Sequence, residues 1–179
     1  EEIKQESSLD SSTREQLVET YQEALSKLDE AQQYSTEAAK YKNDIEQAPQ
    51  SLRAIREKLD QPIEKPNITS PADASLSELQ RRLSEAENEL SEAKDNLNEL
   101  KKESTRRPER LAEIPQTLAN LRDTLQDVTQ DLASDLPDGL SVPRATARQT
   151  LLRARQKALE NKAEALEKEQ ASYQARKEL

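Results

Sequence analysis

Any catalysis by this sequence would have to rest on carboxylates, Ser, Tyr or Lys, and of these the carboxylates occur most plainly in pairs. Glu85 with Glu89, and Glu164 with Glu167, stand four and three residues apart, so each pair shares one face of a helix. Paired carboxylates act as general acid and base only in a concave, partly dry pocket that drives one pKa away from the other. Without such a pocket they are solvated surface, or at most a site for a hard cation. The chain has no His and no Cys, which removes the usual general base, the thiol nucleophile and the borderline metal ligands together. Its one glycine, Gly139, cannot build a phosphate-cradling loop. The expectation is no enzyme, no metal centre and no cofactor.

A second group of side chains suggests recognition. Arg148, Arg155 and Lys162 recur every seven residues beside a seam of Leu152, Leu159, Leu166 and Tyr173, the place from which coiled-coil charges select a partner. They form a candidate interaction face. One reading pairs them with acidic neighbours in the same bundle; the other sets them against an anionic surface such as lipid or cell-wall polymer. Charge is unevenly spread: Arg144–Leu179 carries nine basic and five acidic residues, leaving 18 basic and 31 acidic over Glu1–Pro143. The last segment and the rest should attract each other. The overall charge of -9 argues against nucleic-acid binding, which needs a cationic face. The four tyrosines lie at or beside seam positions, where the ring packs and the hydroxyl reaches water.

The elements that must position these residues are helices. Of 179 residues, 32% are apolar and 35% charged, with no Phe, Trp or Met, so Leu and Ala must fill narrow seams between helices rather than a thick core. Strand-forming runs and turn chemistry are missing. A first helix is expected from Ser12, capped with Glu15 in a capping box. Its seam runs Leu17, Tyr21, Ala24, Leu28 and Ala31, then in a new phase Tyr34, Ala38, Tyr41, Ile45, Ala48, Leu52, Ile55 and Leu59, with a stammer at the phase jump. Pro49 predicts a kink or tight break near Gln47, with coaxial or near-coaxial continuation. The prolines at 62, 66 and 71 predict a loop over 61–74.

A second helix is expected from Ser75 and Glu78, with the most regular seam in the chain: Leu76, Leu79, Leu83, Ala86, Leu90, Ala93, Leu97 and Leu100. That regularity calls for a coiled-coil partner. Pro108 is expected to end this helix and a third to begin at Glu109, with Leu111, Ile114, Leu118, Leu121, Leu125, Val128 and Leu132 as its seam. A loop follows over 134–143, and a last helix runs from Pro143, its pattern still present at Leu179 as in a longer helix. The chain also repeats at an offset of 66 residues: Pro49-Gln50-Ser51-Leu52 corresponds to Pro115-Gln116-Thr117-Leu118, and Leu17, Ala24 and Ala31 to Leu83, Leu90 and Leu97. The expected architecture is all-α: one elongated antiparallel helical bundle over 1–179, with a unit at about 12–60, a second at about 75–133 and the start of a third at 144–179. Leu83, Leu90 and Leu97 with Pro49 and Pro115 are its structural seam and kink positions. No run of residues is apolar enough to span a membrane, so any membrane attachment would come through segments absent from this sequence.

At Tyr41–Leu59 and Pro108–Leu132, together with the long charged helix from Arg144, the sequence resembles the periplasmic N-terminal helical ("porin") domain of large MscS-type mechanosensitive channels, the MscK- and MscM-like relatives. The likeness covers nearly the whole chain and lies in the order of elements. That order is a long amphipathic helix, a Pro-x-x-Leu-x-x-Ile/Leu-Arg unit, a Pro-rich loop, a second long helix, and Pro115-Gln116-Thr117-Leu118 with Leu121, Arg122 and Leu125. The resemblance implies a non-catalytic periplasmic part of a bacterial inner-membrane subunit. Its partners would be other subunits of the same channel, as a homo-heptamer, and envelope components; its role would be in assembly or tension gating on osmotic downshift. A polar start ahead of Ser12 is compatible with a mature chain after signal cleavage. The alternative is a coiled-coil scaffold or adaptor that binds a partner helix.

Overall fold

The computed structural model describes residues 10–62, 75–134 and 140–179. Three helices hold nearly all of them: α1 Ser11–Asp60, α2 Leu76–Ala133 and α3 Val142–Ala175. No strand occurs among the described residues, and the chain is the all-α helical bundle its composition requires. The expected loop over 61–74 lies outside the described residues except at Gln61 and Pro62. The expected loop over 134–143 likewise falls largely on undescribed residues, and α3 begins at Val142.

The helix starts obey capping chemistry, with one correction. The cap of α1 is Asp10, not Ser12. Its carboxylate accepts from the Thr13 backbone N–H (2.8 Å) and from the Thr13 hydroxyl (2.6 Å), satisfying one of the otherwise orphan donors of the first turn. These two hydrogen bonds, the hydroxyl's first, hold the Asp10 carboxyl below its ordinary pKa. Ser75 caps α2 as expected, its hydroxyl accepting from the Glu78 N–H at 3.3 Å. The Glu78 carboxylate, however, pairs with Arg81 and Arg82. At the far end, α3 stops at Ala175, and the last residues form turns.

Pro108 does not divide the helices as expected. α1 runs through Pro49, and α2 runs through both Pro108 and Pro115, so the helices expected on either side of Pro108 are one. Each proline removes one N–H and leaves the carbonyl four residues earlier without its helical donor. All three are exposed, so that carbonyl opens toward water and the helix continues.

The helices build two compact units. The first, residues 1–52 and 113–179, contains every buried residue described. Arg155 meets Glu23, Arg176 meets Asp44 and Tyr173 meets Tyr41, so α3 runs parallel to α1. Arg122 meets Glu167, and Val128 shares a hollow with Ala158, so α2 is antiparallel to α3. The core is thin and rich in alanine. α1 contributes Leu17, Ala24, Ala31, Ala38 and Ala48; α2 contributes Ile114, Leu118, Leu121 and Val128; α3 contributes Ala147, Leu152, Ala154, Ala158, Ala165, Leu166 and Tyr173. Alanine files let helix axes approach closely, which suits a chain lacking large apolar side chains. Leu17, Ala24, Ala31 and Ala38 keep one seven-residue phase, so the expected jump after Ala31 does not interrupt the buried file, and Leu28 is exposed.

The second unit, residues 53–112, has no buried residue among those described. Its segment of α2 is laced by ion pairs within one or two turns: Glu78 with Arg81 and Arg82, Arg81 with Glu85, Glu99 with Lys102, and Glu103 with Arg106 and Arg107.

Candidate interaction surfaces

Two files of side chains recur at heptad spacing on this chain, one covered by a second helix and one open. The covered one lies in the α1/α3 seam. Arg148, Arg155 and Lys162 extend at the same seven-residue spacing to Glu169 and Arg176, and α1 offers Gln16, Glu23, Glu30, Glu37 and Asp44 at matching intervals. The fold brings the basic members of the α3 file onto the α1 file. Arg155 pairs with Glu23, and Arg176 reaches Asp44 at 3.2 Å. Lys162 lies 5.5 Å over the Tyr34 ring, a cation–π contact, beside Glu30 in a hollow of about 460 Å³ also lined by Val128 and Leu159. Arg148 lines a second hollow, of about 360 Å³, with Gln16, Glu19 and Glu23. The candidate interaction face is therefore turned toward α1 of its own chain.

Other polar contacts in the seam are less apparent from the sequence. Arg144 donates to the Thr13 hydroxyl and the Gln16 amide oxygen, both at 2.8 Å. The Asn161 amide donates to the Ala31 backbone carbonyl across the interface at 2.8 Å. Asn161 continues the file of buried Ala147 and Ala154, and a polar residue at such a position is the sequence signal that could have revealed it. Near the end of α3, the Tyr173 hydroxyl donates to the buried Glu169 carboxylate (3.0 Å), and Arg176 donates to the Ser172 hydroxyl (2.7 Å). Glu169 and Ser172 are polar residues that the apolar periodicity of the sequence does not single out. Both are buried, near the place where Tyr41 of α1 lies edge-on to Tyr173 at 6.5 Å.

The carboxylate pairs of the sequence do not converge on a pocket. Glu85 is engaged by Arg81 and Glu167 by Arg122, each on exposed helix surface. No group of three or more metal-ligating side chains occurs among the described residues. Pro49 and Pro115 lie on exposed faces within α1 and α2.

The open surface is the α2 file, where Leu76, Leu79, Leu83, Leu90, Leu97 and Leu100 are all exposed. The most regular heptad pattern in the sequence thus has no covering helix among the described residues.

The family model described as the mechanosensitive ion channel porin domain matches residues 1–179. The chain belongs to this family. No curated protein and no solved structure matches it. Membership makes this porin domain part of a channel family rather than of a known enzyme family, and points to an oligomeric, membrane-associated assembly. No helix among the described residues of the porin domain is long and apolar enough to cross a membrane.

Proposed function

We propose that the chain is a non-catalytic periplasmic domain of an MscS-type mechanosensitive channel subunit in the bacterial inner membrane, where it helps assembly or modulates tension gating during osmotic downshift. The observation that carries this reading is the porin-domain match over the full chain. The α1/α3 seam supports a mechanical role. Two parallel helices tied at several levels, from Arg144 on Thr13 to Arg176 on Asp44, share a load through many contacts, so one helix cannot slide past the other without breaking them together. Such an element couples to gating if its contacts with neighbouring subunits differ between closed and open states. Its partners in this reading are the other subunits of the same channel, as a heptamer, and envelope components.

Deleting this domain from the intact channel and recording membrane patches tests the proposal. The expected result is a shifted tension threshold, altered desensitisation or impaired assembly; no change in any of the three refutes it. The exposed leucine file on α2 favours a second reading, a scaffold or adaptor that binds a partner helix. A full polypeptide without downstream apolar spans would decide for that one.

A further inference from the structure

The exposed file on α2 has the order of a coiled-coil seam. Leu76, Leu83, Leu90 and Leu97 take one core position of the heptad, and Leu79, Ala86, Ala93 and Leu100 take the other. Six of the eight are leucines, and Leu83, Leu90, Leu97 and Leu100 are 50–64% exposed. This unit buries none of its described residues, so its apolar stripe has no covering helix there.

The flanking charges determine what fits. Arg82, Glu89 and Asn96 stand on one side of the stripe, and Gln80, Glu87, Lys94 and Lys101 on the other. In a parallel, in-register pair of identical helices, each residue of the first set faces the member of the second set five positions further along the other copy. Arg82 then meets Glu87, Glu89 meets Lys94 and Asn96 meets Lys101: two attractions and no repulsion, made twice by symmetry. An antiparallel pair with the same leucines overlapped sets Glu87 against Glu87 and Glu89 against Glu89. None of the ion pairs along this segment uses Glu87, Glu89 or Lys94 among the described residues.

We infer that residues 76–100 of α2 are a self-association surface that takes the same segment of a second copy, parallel and in register. The inference rests on the stripe and its charges and does not depend on the channel reading. Two copies joined this way point their α2 helices in one direction, and the exposed leucines become a shared core.

The chain has no cysteine, so a single introduced thiol reports the geometry. In the full chain, Ala93→Cys lies in the seam and should oxidise to a disulfide-linked dimer, whereas Asp95→Cys, pointing outward, should not. Sedimentation equilibrium should show reversible dimerisation. Glu89→Lys should weaken it roughly three- to tenfold by turning attraction into repulsion at two symmetric places, and adding Lys94→Glu should restore it. Circular dichroism checks that each variant folds, as substitution on an exposed face allows. A chain that stays monomeric at high concentration overturns the inference, as does equal cross-linking at positions 93 and 95. Dimerisation unaffected by Glu89→Lys, or capture of a different helical protein in preference to a second copy, overturns it too.

Discussion

Replacing Ile114 by alanine should be among the most damaging single truncations in this protein. Ile114 is completely inaccessible to solvent, at 0% exposure. Of the buried apolar residues described, half are already alanine, so the first unit rests on a small set of larger side chains: Leu17, Ile114, Leu118, Leu121, Val128, Leu152, Leu166 and Tyr173. Truncating a fully buried isoleucine costs the transfer energy of the lost carbons plus that of the cavity, about 2–5 kcal/mol. A core half made of alanine has little side-chain length with which to fill such a space, which favours the upper part of that range. Against a total stability on the order of 5–15 kcal/mol, a loss of about 3 kcal/mol should lower the melting temperature by roughly 6–12 °C in a chain of this size. Leu25→Ala is the matched control: the same unit, a similar deletion, but 62% exposed, with an expected change within about 0.5 kcal/mol. Thermal and urea melts followed by circular dichroism at 222 nm measure both. If Ile114→Ala is no more destabilising than Leu25→Ala, the assignment of the core to this stripe is wrong.

Three further outcomes follow from the same geometry. Pro49→Ala should stabilise the chain, by up to about 3 kcal/mol, because it restores the hydrogen bond to the Ile45 carbonyl within a helix that already runs through this position; an unchanged or lowered urea midpoint would contradict that. Asn161→Ala should cost about 0.5–1.5 kcal/mol through loss of its bond to the Ala31 carbonyl, and spin labels on α1 and α3 should report a broader distance distribution if Asn161 sets their register. Glu78 should titrate at about 2 instead of the usual 4.5, because hydrogen bonds from Arg81 and then Arg82 favour its charged form. Since the folded pKa is the lower one, its stabilising effect on the start of α2 is present above about pH 4.5 and disappears as pH falls toward 2. A carboxyl NMR titration with a midpoint near 4.5 would show that these pairs do not persist in solution.

The helical nature of the chain and its two capped starts, within a few residues, are legible in the linear sequence, because each is a local property of residue type and spacing. Ser75 caps as its position suggests, and the file Ile114–Leu118–Leu121–Val128, one of the faces that periodicity marks, is buried. The structure departs from the linear pattern where one rule overrides another. Pro108 looks like a helix stop by propensity, yet one missing hydrogen bond on an exposed face costs less than abandoning a helix of 58 residues. Asp10 out-competes Ser12 as a cap because its two oxygens reach both the N–H and the hydroxyl of Thr13.

What the sequence by itself determined is periodicity: which residues fall on common faces, and that Arg148, Arg155 and Lys162 share one. It could not say which face would be covered, since a heptad file specifies a seam and not its occupant. Tertiary structure made that choice. It set α3 parallel to α1 at separations of 128 to 132 residues, so that basic side chains meet Glu23 and Asp44, and buried Glu169 and Ser172. It left the leucines of residues 76–100 exposed. Burial depends on what packs opposite a residue, and that partner is remote in the chain, 45 positions away for Arg122 and Glu167 and 132 for Arg155 and Glu23, beyond the reach of any local pattern.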